Sequence, residues 1–276
     1  MSYKFAIENL NYEDYASGRV LYNHKGTTSF PVRLASEIYQ RCAAILKEKG
    51  KEKDFIIYDS CCGGAYLLTI LGFLHGDEIS RIYGSDVDET MISLAQRNLS
   101  LLSPEGIERR IMQIDKMLED FGKKSHSEAL KSALKLKDIL VNRKKNIEIT
   151  CFVANIASDL SVDPGTICKI NCHNIEEINE KITREINIKT IVNNVNILIT
   201  DLPYGNITNW KGMQDEEWAV RKMLNNVLPL LAKDSVISIV SGKKTKIKHG
   251  SYRRIDKFTI GKRQINILEP GSPLEL

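Results

Sequence analysis

Three aspartates end apolar segments that are typical of buried β-strands. Asp59 follows the run FIIY, Asp86 ends RIYGSD, and Asp201 ends NILITD. In an open parallel sheet, ligands bind at the carboxyl ends of the strands, near the point where the strand order reverses. These carboxylates are therefore candidates for binding a ligand, and Asp86 could accept hydrogen bonds from both hydroxyls of a ribose.

A glycine turn follows the first of these strands. Gly63 and Gly64 can adopt positive φ and allow backbone N–H groups to approach a ligand, since no Cβ intervenes. Asp86 lies 27 positions after Asp59, and together the two features predict an adenosine-containing cofactor. The sequence GGAYLL lacks the later glycine of a dinucleotide-binding turn, which argues against a nicotinamide or flavin cofactor.

The segment after the third strand reads Asp201-Leu202-Pro203-Tyr204. It resembles the acid-Pro-Pro-aromatic loop of amino-methyltransferases, in which an acidic side chain and the next carbonyl accept hydrogen bonds from a base N–H. The proline sets the direction of that carbonyl, and the aromatic ring stacks on the base. The loop predicts methyl transfer to a nitrogen. It argues against an enzyme that transfers a hydride, because that reaction does not need such a loop.

The cysteines are interpreted as packing residues. Cys61 and Cys62 are adjacent, which is poor geometry for binding one metal ion. The spacing Cys168-x-x-x-Cys172-His173 would supply three ligands for zinc, but a strand with buried thiols is the favoured interpretation. No metal is expected.

The surrounding elements predict an α/β fold. Helical spacing from Phe30 to Gly50 precedes a strand, turn and helix around residues 55–76, and a second strand and helix follow. This order is typical of a doubly wound parallel sheet. Residues 104–146 are predicted to form a helical elaboration, with an apolar stripe through Leu130, Leu134, Ile139 and Leu140. Further strands are predicted in TCFVANI, TICKINC, NVNILITD and SVISIVSG, and a hairpin around Gly261.

Length and composition fit one domain. The 276 residues, 42% of them hydrophobic, can close a large core. We assign residues 1–29 to an N-terminal extension, 30–270 to the main domain, and 271–276 to a tail left by cloning. No segment approaches the length of a membrane helix and no signal peptide is evident, so a soluble, cytoplasmic protein is expected.

Positive charge is concentrated near the carboxyl end of the chain. The net charge is only +4, but residues 243–263 contain nine Lys and Arg and one acid. This stretch is interpreted either as a solvated edge hairpin or as a surface that binds RNA phosphates. The candidate phosphate ligands are Lys243, Lys244, Lys246, Arg253 and Arg254.

Beyond these motifs, the chain resembles the avilamycin-resistance type of ribosomal RNA methyltransferase. The resemblance is carried by SGRVLYNHKGTTSFPVRLASEIYQR, by the segment from YDSCCGGAYLL to QRNLSLLS, and by NILITDLPYGNITNW. It implies a class I S-adenosylmethionine-dependent methyltransferase fold, Rossmann-like, with helices on both faces of the sheet. It also implies that the acceptor is a guanine base nitrogen of 23S rRNA, and that the partner is 23S rRNA or the large ribosomal subunit. Resistance to a ribosome-targeting antibiotic is a further expectation from this resemblance.

The same resemblance implies roles for individual residues. Asp201, Leu202, Pro203 and Tyr204 would form the acceptor loop, and Trp210 is a second candidate for stacking on RNA. The methyl donor, S-adenosylmethionine, would contact Arg33, Asp59, Cys62, Gly63, Gly64, Ala65 and Asp86.

Two departures from the family pattern stand out. Ala65 replaces a glycine in the turn, and NCHN stands where relatives have an acid near the adenine, so Asn171 or Asn174 would have to bind that ring. Methylation of tRNA guanine, DNA adenine or a glutamine amide remains open, as does a catalytically silent RNA-binding protein.

Overall fold

The computed structural model describes residues 3–25, 27, 29–158, 191, 193–203 and 215–271, and the backbone of 167–169. The helices in this part of the chain are α1 (Val32–Glu48), α2 (Tyr66–His75), α3 (Glu89–Ser100), α4 (Pro104–Phe121), α5 (Lys124–Val141) and α6 (Glu216–Val227). The strands are β1 (Phe55–Asp59), β2 (Ile79–Asp86), β3 (Glu148–Val153), β4 (Ile167–Lys169), β5 (Val195–Asp201), β6 (Leu231–Gly242), β7 (Tyr252–Ile260) and β8 (Arg263–Pro270).

The strands form one mixed sheet in the order β4-β3-β2-β1-β5-β6-β8-β7. The five strands from β3 to β6 in this order are parallel, while β4, β8 and β7 each pair antiparallel to a neighbour. The predicted parallel sheet and the hairpin around Gly261 are confirmed. The chain order reverses between β1 and β5, which makes the carboxyl ends of these strands the expected ligand site.

Successive side chains of β1 enter different cores, because a strand alternates its faces. Ile57 is fully buried in the core that contains α1, α2 and α3, whereas Tyr58 is fully buried in the core that contains α6. The predicted arrangement, with helices on both faces, is confirmed.

Sequence analysis did not identify α6. Its buried residues are Ala219, Val220, Met223, Leu224 and Val227, a helical pattern. Asp215 caps the helix by accepting the N–H groups of Glu217 and Trp218. The cap and the apolar spacing were both readable from the sequence.

The predicted helical elaboration is an antiparallel pair, α4 and α5. Its apolar stripe was partly wrong, because Leu134 is 45% exposed. The buried stripe of α5 instead runs through Ala129, Ala133, Leu136 and Leu140, at spacings of four, three and four. Leu134 lies about 100° around the helix from Ala133, and so outside this stripe.

The N-terminal segment packs on the helices of the sheet. Val20 and Leu21 are fully buried, and the guanidinium of Arg110 donates to the carbonyl of Val20 at 2.8 Å. The buried carboxylate of Glu37 accepts the N–H groups of residues 4–6 at 2.7–2.8 Å. This segment therefore shares the core of the domain, while the proposed domain boundaries stay a prediction. None of the helices described is long and apolar enough to cross a membrane.

Candidate functional site

Three carboxylates meet where the strand order reverses, at the end of the sheet formed by the carboxyl ends of its parallel strands. We call this end the carboxyl edge. Asp59 ends β1, and β2 and β5, which end in Asp86 and Asp201, are the two neighbours of β1. Asp59 is only 2% exposed. Asp86 and Asp201, which follow Asp59 by 27 and 142 positions along the chain, are thus brought together with it.

Burial, together with the smaller effect of the negative charges of Asp201 and Asp86, raises the pKa of Asp59 to about 7. The N–H of Cys61 donates to Asp59 Oδ1 at 3.1 Å and opposes this shift by favouring the charged form. A positively charged ligand beside these carboxylates would stabilise their ionised forms. The electrostatics of this edge therefore favour a cation.

Asp86 holds the glycine turn against β2. Its Oδ2 accepts the N–H of Gly63 at 2.9 Å, and its Oδ1 accepts the N–H of Asp88 at 3.0 Å. Burial raises the pKa of Asp86 against the opposing effect of these bonds. Since two carboxylate oxygens offer about four acceptor positions, capacity remains for the hydroxyls of a ribose.

The two glycines of the turn differ in what they permit. Gly63 has φ +52°, and a Cβ placed there would meet no atom within 4 Å, so the space beside its backbone is open. A Cβ at Gly64 would lie 2.5 Å from Cδ2 of Leu94 on α3. Gly63 therefore leaves room for a ligand, whereas Gly64 allows α3 to pack closely.

Ala65 adopts the left-handed conformation that the replaced glycine would favour. Its φ is +55° and ψ is 29°, it is fully buried, and its N–H donates to the carbonyl of Cys62 at 2.8 Å. A left-handed non-glycine residue costs about 1–2 kcal/mol. The turn thus keeps its shape despite the alanine, at some cost in strain.

Both cysteines of the turn remain protonated, because burial and the nearby carboxylates raise the pKa of each thiol well above its ordinary value. The Sγ of Cys62 lies 3.2 Å from the position of a Cβ on Gly84 in β2, so it packs where that glycine leaves space. Cys62 therefore acts as a packing residue behind the turn and is a poor nucleophile.

No group of three His, Cys, Asp or Glu suited to a metal ion occurs among the residues that the structure describes. The side chains of Cys168, Cys172 and His173 lie outside them.

Asn98 on α3 links the turn to the N-terminal segment, and sequence analysis missed it. It is 1% exposed. Its side-chain amide donates to the carbonyls of Gly64 and Tyr22 at 2.8 and 3.1 Å, and its Oδ1 accepts the N–H of Tyr22 at 2.7 Å. The one sequence signal was an asparagine inside a helix, which is unfavourable unless its side chain has partners.

Arg33 contacts the N-terminal segment. Its guanidinium donates to the carbonyls of Ala6 and Ile7 at 2.8 and 2.7 Å and lies 4.0 Å from the centre of the Tyr3 ring. Contact between Arg33 and the methionine carboxylate of a donor stays a prediction.

The acceptor-loop candidates extend the pairing of β5 with β6. Asp201 pairs with Val240, and the N–H of Leu202 donates to the carbonyl of Val240 at 3.0 Å. Leu202 is 2% exposed, while Asp201 and Pro203 are half-buried at the edge. The backbone therefore anchors the start of this loop. The other candidates in the loop and near the adenine, Tyr204, Trp210, Asn171 and Asn174, lie outside the described residues.

The predicted RNA-binding residues fall into two groups. Lys243, Lys244 and Lys246 follow the carboxyl end of β6, directly beyond the strand that pairs with β5. Arg253 and Arg254 lie at the start of β7. The other end of β7, at Ile260, pairs with Arg263 of β8, and Arg263 also pairs with Gly242 at the carboxyl end of β6. Seven residues of strand, about 23 Å, therefore separate Arg253 from the edge that holds Asp201, and Arg253 also pairs with Glu269.

Comparisons with known proteins agree with this geometry. The family model described as rRNA methyltransferase AviRa matches residues 1–263. The 23S rRNA (guanine(2535)-N(1))-methyltransferase of Streptomyces viridochromogenes is 30% identical over 274 residues, covering 99% of this chain and 98% of that protein. Two solved structures of rRNA methyltransferase aviRa from the same organism are 29% and 28% identical. Each has a TM-score of 0.76, covering 97% of this chain and 96% of the solved chain.

Proposed function

The chain belongs to the rRNA methyltransferase AviRa family, and on that premise we propose that it transfers a methyl group from S-adenosylmethionine to N1 of a guanine in 23S rRNA. The choice of base and nitrogen follows the name of the Streptomyces relative. The observation that carries the proposal is that two features lie at the same edge of the sheet. One is an acidic turn suited to binding a cationic donor, and the other is a loop suited to accepting a hydrogen bond from a base N–H.

The residues of the turn fit S-adenosylmethionine. The donor has a positive sulfonium and a positive ammonium, which suit the acidic edge formed by Asp59, Asp86 and Asp201. Asp86 ends β2, where a carboxylate can accept ribose hydroxyls, and the open space beside Gly63 leaves room for the ligand. When bound, S-adenosylmethionine supplies a methyl group already activated by the sulfonium.

The chain itself has mainly to position and desolvate the reactants, because an activated methyl group needs no covalent enzyme intermediate. The carboxylate of Asp201 would accept the N1–H hydrogen bond and orient the guanine, and the proton would leave to Asp201 or water. Leu202 holds this loop by its bond to Val240, and Tyr204 would stack on the base. A base within a stem would first have to be extruded.

The first experiment maps methylation. Ribosomal RNA, both free and in large subunits, is incubated with the protein and isotopically labelled donor, and modified nucleotides are located by mass spectrometry. Label at N1 of one 23S rRNA guanine is the expected result. Label in tRNA, DNA or protein would refute the proposed acceptor, and lack of donor binding at millimolar concentration would favour a silent RNA-binding protein.

Asp201→Ala tests the acceptor loop. We expect methyl transfer to fall at least about 100-fold, as for loss of a group that acts in proton transfer. Donor affinity should stay near the wild-type value, because loss of the Asp201 charge also makes Asp59 easier to ionise. The matched control is Asp115→Ala on the exposed face of α4. An active Asp201→Ala variant would show that the acceptor loop is misassigned.

A further inference from the structure

The segment 243–252 runs alongside α6 from the carboxyl edge of the sheet towards the opposite edge. At the start of α6, the hydroxyl of Thr245 donates to Glu216 at 2.8 Å. Further along, the hydroxyl of Tyr252 donates to the carbonyl of Leu224 at 2.7 Å. These bonds join the helix and the basic segment into one continuous surface.

An exposed tryptophan lies on this surface. Trp218, in the first turn of α6, is 50% exposed, although tryptophan is strongly buried on average. Arg221 is three residues further along and therefore on the same helix face, and it is exposed. The neighbouring Glu217 reaches Lys246, whose side chain is 80% exposed. An aromatic ring flanked by exposed cations is the arrangement that binds single-stranded nucleic acid.

The cations of this region outnumber its acids. We call the region the α6 surface and define it by Lys243, Lys244, Lys246, Lys248, Arg221 and Trp218. The acids beside it are already engaged: Asp215 caps α6, Glu216 accepts from Thr245, and Glu217 pairs with Lys246 at 3.5 Å. An exposed ion pair of this kind is weak, so RNA phosphate can replace Glu217 as the partner of Lys246.

The α6 surface begins beside the acceptor loop. Asp201 pairs with Val240, and Lys243 is three residues beyond Val240, or about 10 Å of extended chain. A nucleotide next to a guanine held at Asp201 would therefore reach this surface.

We propose that the α6 surface binds the RNA nucleotides that flank the methylated guanine, with the Trp218 indole stacked on an unpaired base and the lysines and Arg221 bound to phosphates. This inference rests on the proposed function for its partner and assigns it a second contact region. Arg253 and Arg254, at the opposite edge, lie outside this surface.

The test measures the affinity of the whole protein for a 23S rRNA fragment without methyl donor. Trp218→Ala should weaken binding by about tenfold or more, as expected for loss of one base stack, while Trp218→Phe should keep most of the affinity. Lys246→Gln should reduce the slope of log affinity against log salt by about 0.7, the value for one single-strand phosphate contact.

Two control variants match these changes. Phe121→Ala removes an aromatic ring that is 64% exposed at the end of α4, and Lys116→Gln removes an exposed charge on the same helix. Neither should alter RNA affinity. Equal effects of Trp218→Ala and Phe121→Ala would overturn the proposal, as would a change in self-association with unchanged RNA affinity. If the wild-type protein binds this RNA through Trp218 but does not methylate it, the proposed function fails and the α6 surface stands.

Discussion

Replacing Asp59 by asparagine should make the donor-free protein more stable and a weaker binder of S-adenosylmethionine. The asparagine can still accept the N–H bond from Cys61, but it cannot ionise. The wild-type carboxylate is 2% exposed and has a pKa of about 7, because burial and two neighbouring aspartates disfavour its charged form. The substitution removes this electrostatic cost together with the charge that would face the donor.

The size of the effect follows from linkage between protonation and folding. In the unfolded chain Asp59 ionises near its ordinary pKa of 3.8, while in the folded protein it keeps its proton until the pH reaches about 7. The folded state therefore binds more protons in this window, and wild-type stability falls as the pH rises through it. At 1.36 kcal/mol per pKa unit, the loss is about 4 kcal/mol in total, with about 3 kcal/mol of it between pH 5 and pH 8.

Urea unfolding of the donor-free protein at pH 5 and pH 8 measures this difference. The free energy of unfolding of Asp59→Asn minus that of wild type should grow by about 3 kcal/mol between these two values. Asp115→Asn, on the exposed face of α4, controls for loss of a carboxylate elsewhere. Calorimetry at pH 8 should show weaker donor binding only for Asp59→Asn.

A pH-independent difference between wild type and Asp59→Asn would refute the reasoning, since the carboxylate would then ionise equally in the folded and unfolded states. Donor binding by Asp59→Asn at wild-type affinity would separately show that this charge does not face the donor.

Two further substitutions test the turn. Gly64→Ala would bring a Cβ to 2.5 Å from Leu94, so we expect a loss of about 1–3 kcal/mol of stability in urea; Gly250→Ala, where a Cβ meets nothing within 4 Å, should change little. Asn98→Ala would remove three partly buried hydrogen bonds to the backbone of the turn and the N-terminal segment, at about 1 kcal/mol each, and should weaken donor binding in calorimetry. The exposed Asn142→Ala is its control, and normal donor affinity in Asn98→Ala would exclude a positioning role.

Much of the fold was readable from local patterns. Apolar runs ending in Asp59, Asp86 and Asp201 predicted three strands, and helical spacing predicted the helices between them. These signals are local because a strand or an amphipathic helix must repeat its apolar positions with a fixed period. The same periodicity misplaced Leu134, since several apolar stripes were compatible with the sequence of α5 and only packing selected one.

The residue types of the site were also evident from the sequence. The sequence contains a strand-ending acid, a glycine turn and the Asp201-Leu202-Pro203 loop. The chemical role of each can be inferred from residues that are adjacent in the sequence. Asn98 could not be found in this way, because its partners lie 34 and 76 positions away in the chain. Its role depends on the packing of three separate segments.

The sequence by itself therefore determined the elements and the chemical groups, whereas the tertiary structure decided which groups act together. Strand order made β1 a neighbour of both β2 and β5, and the resulting burial of the Asp59 carboxylate, together with the nearby charges of Asp201 and Asp86, raises its pKa. The connection between β6 and β7 likewise divided one basic stretch, because residues 243–252 carry the chain from the carboxyl edge of the sheet to the opposite edge. It left Lys243 at the carboxyl edge that holds Asp201 and moved Arg253 to the opposite edge, while Glu217, next to Trp218 in α6, pairs with Lys246 of the basic segment.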